Sequence, residues 1–242
     1  VSDGYGNACI HKYTPDGKLV KTWGETGTEP GQFNLVHNIV ADDDGWLYVA
    51  DRENHRVQVF NTDGKYETQW NNLHRPCGLY MPRGKCPHCF IGELGPGMAV
   101  NRYYKNLGPR ISILNNEGEL IARLGGEDGP GLEIGKFMAP HGLAVDSHGD
   151  IYVGEVAYTN WPNSQGDEER PDYMTDPLDD TAVRKLKREM LASNKLKRET
   201  QTDVKNKMLA GSRPAGLLDG RIKKPFCNGE QPSEIFCDQP SG

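Results

Sequence analysis

No stretch of the chain is apolar over the ~20 residues that a membrane-spanning helix needs, and hydrophobic side chains make up only 36% of it. A transmembrane segment is not expected. Positive charge is not in excess either. The 28 lysines and arginines against 34 aspartates and glutamates leave a net charge of -6, which argues against nucleic-acid binding by the chain as a whole. Cysteine is sparse as well. Six residues, at positions 9, 77, 86, 89, 227 and 237, are too few for a disulfide scaffold at this length. They leave open the redox compartment and whether Cys227 pairs with Cys237. The first residue is Val rather than Met, and the opening residues already resemble the middle of a repeat, so a fragment of a longer protein is expected. The compartment is therefore open, and a secreted or periplasmic setting is compatible with the sequence.

Internal repetition is what the sequence does have. Residues 31–51 and 135–155 superpose without a gap. Gly31 falls on Gly135, Phe33 on Phe137, His37 on His141, Asp42 on Asp146, Gly45 on Gly149, and Tyr48-Val49 on Tyr152-Val153. One histidine is placed twice, 104 residues apart, in the same local setting. The segment from Asn7 to Lys18 is repeated from Asn54 to Lys65, and Arg110 to Glu119 gives the same strand and turn again. Each unit runs from a turn into an alternating strand, a D-x-x-G turn, a second strand ending in a small or acidic residue, and a third strand.

A period of roughly 40–50 residues points to propeller blades. A β-sandwich would use similar turns but does not explain a repeated histidine. The expected fold is all-β, a propeller of which about three to four blades lie in this chain. The first is entered midway and ends near Trp23, the second covers about 24–70, the third about 71–124, and the fourth begins at 125 and loses its pattern after Trp161. Residues 1–161 thus form a partial propeller, and 162–242 form a charged tail with a helix expected over 181–210 and a poorly ordered end. Within 183–207 nine basic residues stand against three acidic ones. Such a run reads as a solvated helix, or as one that meets an acidic partner or membrane surface.

The start of each innermost strand faces the propeller axis. Cys77 aligns with His141, so the middle blade places cysteine where its neighbours place histidine. In a six-bladed ring His37 and His141 would be a third of a turn apart, and a third histidine two blades earlier would lie before residue 1. Three imidazoles and an open position form a catalytic zinc site. A lone histidine at a strand start is ordinarily a packing residue, but two in register favour a ligand role. Cys86-Pro87-His88-Cys89 spells a thiol oxidoreductase motif, yet Phe90 to Glu93 reads as strand and no second CxxC is present. Structural decoration of a hairpin is the expected role, ahead of metal binding or redox work.

Ser2-Asp3-Gly4-Tyr5-Gly6-Asn7, Trp23-Gly24-Glu25, Pro30-Gly31-Gln32-Phe33, His37 and Ala50-Asp51-Arg52-Glu53-Asn54-His55-Arg56 together resemble the NHL-repeat propellers. Among those they are most similar to peptidyl-α-hydroxyglycine α-amidating lyase and its bacterial relatives, over about residues 1–161. The resemblance implies a six-bladed parent that cleaves a peptidyl-α-hydroxyglycine to a peptide amide and glyoxylate, with a peptide or small-molecule substrate in the propeller channel. It implies zinc ligation by His37 and His141, Tyr5 as the group that takes the hydroxyl proton, and Arg52 as the cation that holds or polarises the substrate. Taken alone, Tyr5 and Arg52 read as a strand-end hydrogen bond and a surface ion pair. The chain departs from the family in three places. Val36 precedes His37 where proline is common, Gly142 replaces an aspartate that helps hold a structural calcium, and Gly6 replaces a disulfide cysteine. Calcium is accordingly not expected. The competing class is a non-catalytic NHL propeller that binds a protein or ligand on one face.

Overall fold

The computed structural model describes residues 1–84, 88–126, 128–172 and 174. Thirteen strands form four antiparallel sheets, each a simple meander. The first sheet holds β1 (Ser2–Asp3), β2 (Cys9–Tyr13) and β3 (Leu19–Trp23). The second, of four strands, holds β4 (Val36–Ala41), β5 (Leu47–Asp51), β6 (Arg56–Phe60) and β7 (Tyr66–Trp70). The third repeats it with β8 (Pro76–Tyr80), β9 (Cys89–Glu93), β10 (Arg110–Leu114) and β11 (Leu120–Leu124). The fourth has only β12 (Pro140–Val145) and β13 (Ile151–Glu155). Two whole blades are thus flanked by two partial ones, with the limits expected from the repeats. The ring is not closed among the described residues.

The turns explain the meander. Asp42 Oδ1 accepts the backbone N–H groups of Asp44 and Trp46, and Asp146 does the same for His148 and Asp150. Asn61 and Asn115 close the outer hairpins in the same way. Gly45, Gly64, Gly118 and Gly149 follow these side chains at φ between 72° and 88°, a conformation that costs residues with a Cβ.

The apolar residues alternate, but both faces of the middle strands are buried. In β6 every residue is buried. The reason is blade stacking: each face of a sheet meets a different neighbour. Val49 and Phe60 pack with Ala8, Ile10 and Phe33 towards the first blade. Tyr48, Ala50, Val57 and Val59 pack with Leu79, Cys89 and Ile91 of the third. Phe90, Ile111 and Ile113 turn instead to Phe137, Ile151 and Val153 of the fourth. Two-sided burial turns a pattern expected for half-buried strands into a chain of inter-blade cores.

After β13 the fourth blade turns into a helix, α1 (Ala157–Ser164), which the sequence pattern does not announce. Its sequence, AYTNWPNS, contains Pro162 and is a poor helix former, so tertiary bonds hold it. Asn160 Nδ2 donates to Ser164 Oγ at 2.8 Å, Ser164 Oγ donates to the Met138 carbonyl, and Arg102 donates to the carbonyls of Pro162 and Asn163 at 2.9 Å. The helix expected over 181–210, Cys86, Cys227 and Cys237 lie outside the described residues. Among the described residues no helix is long and apolar enough to cross a membrane.

Glu93 is fully buried and ion-paired to Arg110 at 2.8 Å. Its replacement by Ala leaves a buried guanidinium uncompensated and should destabilise the protein by about 3–5 kcal/mol in urea unfolding. An unchanged midpoint would show that the pair carries no stability. A second prediction concerns acid. His74 stacks on His55 with ring centroids 4.6 Å apart, and its Nε2 is buried without a partner. Burial, with His55, Arg75 and Arg110 close by, lowers its pKa to about 4. An unfolded histidine takes up its proton near pH ~6.5. Between those values the unfolded chain binds a proton that the native state refuses, so stability falls as pH drops. His74→Gln should therefore show a shallower loss of stability than the parent between about pH 6.5 and about pH 4. Parallel slopes would place the acid sensitivity elsewhere.

Candidate functional site

The strand pairings of the three inner strands slip at one place each. The register breaks between Val36 and Asn38, between Pro76 and Gly78, and between Pro140 and Gly142. The skipped residues are His37, Cys77 and His141. A bulge leaves its extra residue outside the ladder and re-aims the side chain, and here it does so three times at equivalent positions.

An acid at the end of the second strand, fully buried at Asp51 and Glu93 and partly buried at Glu155, fixes each bulge. Asp51 Oδ1 accepts the N–H of Asn34 at 2.8 Å, Glu93 Oε2 that of His74 at 2.6 Å, and Glu155 Oε1 that of Met138 at 2.7 Å. Each N–H belongs to the residue three places before the bulged one. The following backbone repeats as well: the N–H groups of Arg52, Leu94 and Val156 donate to the carbonyls of Leu35, Arg75 and Ala139. Leu35 and Arg75 are thereby held at φ 68° and 53°, a left-handed conformation costing a non-glycine residue roughly 1–2 kcal/mol. Asp51 is itself matched by Arg56 at 2.7 Å and Gln58 at 3.0 Å, and Glu93 by Arg110 and Ser112 Oγ. Among the described residues Glu155 pairs with no such cation, and burial pushes its pKa up against the two backbone N–H groups it accepts.

The result is convergence. The imidazoles of His37 and His141 lie 4.5 Å apart, edge to face. His37 Nδ1 donates to the Cys77 carbonyl at 2.9 Å, which leaves Nε2 as the free acceptor of a neutral ring. One ligand atom each from His37, Cys77 and His141 lies within 4.8 Å of the others. Tyr5, 75% exposed, sits 6.3 Å from the His37 ring. Its hydroxyl accepts from Arg52 Nη1 at 3.0 Å. All four residues singled out in the sequence, Tyr5, Arg52, His37 and His141, thus border one space where the inner strands begin.

Burial governs the electrostatics. It lowers the pKa of His37 to about 4, with His141 and Arg52 acting in the same direction. His141 is lowered by burial and Arg52, so both rings are neutral at physiological pH, as ligation requires. Burial pushes the Cys77 thiol up to about 11, opposed by Arg52 and Arg75. Burial disfavours ionisation of Glu53, but Arg75 and Arg52 outweigh it and hold the carboxyl below its ordinary range.

Sequence reasoning missed three contributors. Glu53 braces both arginines, accepting from Arg52 Nε at 2.8 Å and from Arg75 Nη2 at 3.0 Å. The acids at 51, 93 and 155 were visible only as strand endings. Cys77 stood out as an aligned substitution, not as a member of the site. A second group, Asp3, Cys9 and His11, brings His11 Nε2 within 3.2 Å of Asp3 Oδ2 and 3.6 Å of Cys9 Sγ.

Comparison with known proteins adds relatives to this geometry. The NHL repeat family model matches residues 33–60. Peptidyl-glycine alpha-amidating monooxygenase of Mus musculus is 44% identical over 172 residues, covering 66% of this chain and 16% of that protein. NHL repeat-containing protein 3 of Homo sapiens is 29% identical, covering 64% of this chain and 42% of that protein. Peptidyl-alpha-hydroxyglycine alpha-amidating lyase 1 of Drosophila melanogaster is 26% identical, covering 64% and 30%. A solved streptogramin B lyase superposes with a TM-score of 0.40 at 16% identity, over 62% of this chain and 42% of that one. The chain therefore spans less than half the length of these relatives. It carries an NHL repeat on propeller blades and is a homologue of the amidating monooxygenases and the hydroxyglycine amidating lyase.

Proposed function

We propose that this chain contributes blades of a zinc-dependent lyase that cleaves a peptidyl-α-hydroxyglycine into a peptide amide and glyoxylate. The observation that carries the reading is the meeting of His37 and His141 with the Tyr5–Arg52 pair in one space. The residues fit a zinc ion: both rings are neutral, and the His37 hydrogen bond to a backbone carbonyl sets the tautomer with Nε2 free. When bound there, zinc supplies a Lewis acid for the substrate oxygen.

The remaining chemistry falls to the chain. Arg52, braced by Glu53, holds a fixed positive charge at the mouth and orients the Tyr5 hydroxyl. Tyr5 Oη, ionised, takes the proton from the substrate hydroxyl as the C–N bond breaks. The O–H electron pair becomes the second carbon–oxygen bond of the glyoxylate aldehyde, and the C–N pair passes to the nitrogen. The proton held at Tyr5 Oη is returned to that nitrogen, which leaves as the peptide amide. The competing reading, a propeller that binds without catalysis, draws on the likeness to NHL repeat-containing protein 3. Glyoxylate release by the complete protein from a synthetic α-hydroxyglycyl peptide separates the two.

Tyr5→Phe and Arg52→Ala should each lower kcat/KM in that assay by roughly a hundred-fold or more, the range lost with a general base or a charge-stabilising group. Rates within a factor of about two of the parent would remove both residues from the chemistry.

A further inference from the structure

We propose that Cys77 is a third metal ligand, so that the ion is held by two imidazoles and one thiolate drawn from three successive blades. The inference rests on the two-imidazole reading above and extends it to a residue that the repeat pattern marks only as a substitution.

Four observations meet at this sulfur. Cys77 occupies the same bulge position as His37 and His141, one blade from each. The side chain is fully buried, and its ligand atom lies within 4.8 Å of a ring nitrogen of both histidines. Its backbone carbonyl accepts the His37 Nδ1–H at 2.9 Å, so the same residue fixes the tautomer of one candidate ligand while offering its own sulfur. The strand on its far side is held close by Gly78, where a Cβ would collide with the His141 carbonyl. That approach brings the third blade's sulfur and the fourth blade's imidazole to a common point.

The other described cysteines are placed differently. Cys89 lies in the core between the second and third blades, and Cys9 sits with Asp3 and His11. A sulfur beside two imidazoles selects a borderline or soft divalent ion such as zinc over magnesium or calcium. Binding displaces the thiol proton to solvent, leaving a site of net charge near +1 beside the Arg52 guanidinium.

Cobalt(II) reports thiolate ligation directly, because a sulfur-to-cobalt charge-transfer band accompanies the visible d–d bands. Titration of the metal-free protein with Co(II) should give both. The charge-transfer band should survive in Cys86→Ser/Cys89→Ser and Cys9→Ser variants and vanish in Cys77→Ser, whose fold is checked by circular dichroism. Affinity in Cys77→Ser should fall by roughly ten-fold or more. Visible bands without the charge-transfer band in the parent, which needs no variant to interpret, would overturn the role of Cys77 and leave the two-imidazole reading standing. A band that persists in Cys77→Ser would also overturn it. Cobalt uptake unchanged by His37→Ala would overturn the two-imidazole reading instead, and no uptake by the parent would overturn both.

Discussion

A carboxylate at the end of the second strand, repeated in three blades, governs this structure. Asp51, Glu93 and Glu155 each end the second strand and reach back to an N–H three residues before the bulge of the first strand. A carboxylate without water must be paired or hydrogen-bonded, since an isolated buried charge is prohibitively costly. For Asp51 and Glu93 the chain answers that demand twice, with a cation from the third strand and with backbone from the turn, and for Glu155 it answers with backbone from the turn. The second answer is what fixes the site. The turn cannot relax without orphaning the acid, so Leu35 and Arg75 are kept in left-handed backbone and the next-but-one side chain is aimed inward.

Blade stacking then converts a repeated local geometry into one shared space. Because both faces of the sheets are apolar and meet different neighbours, the blades stay in register as wedges. The inner strands come close enough that His37 donates to the carbonyl of Cys77, and Gly78 admits the carbonyl of His141. A packing constraint, and no attraction among the imidazoles themselves, delivers them together. Their neutrality follows from the same burial. Around the rim the logic changes: Glu53 holds Arg52 and Arg75 by charge, and Arg52 holds the exposed Tyr5 by a hydrogen bond.

Much of this could be read in the sequence, because repeats expose equivalence. The superposition of His37 on His141, with Phe33 on Phe137 and Tyr48 on Tyr152, gave blade limits that the strands follow. It also gave the two histidines a common direction. Turn residues were legible for a simpler reason, since Asp or Asn with glycine three places later has few other uses. What stayed hidden was whatever depends on three-dimensional neighbours. The alternation in Val57 and Val59 looked like a half-buried strand, because a sequence does not say that a second sheet covers the other face. Helix α1 carries no period and a proline, and exists through bonds to Met138 and Arg102. Glu53 looked like part of a charged surface triplet, yet it links arginines 23 positions apart in the chain, 52 and 75.

The central claim is that equivalent bulges of consecutive inner strands point at one ion. X-ray absorption at the zinc edge of the metal-loaded protein reads that ion's first shell directly. The account predicts imidazole nitrogens at about 2.0–2.1 Å together with a sulfur at about 2.3 Å. A shell of oxygens alone, lacking the multiple-scattering signature of imidazole, would contradict it.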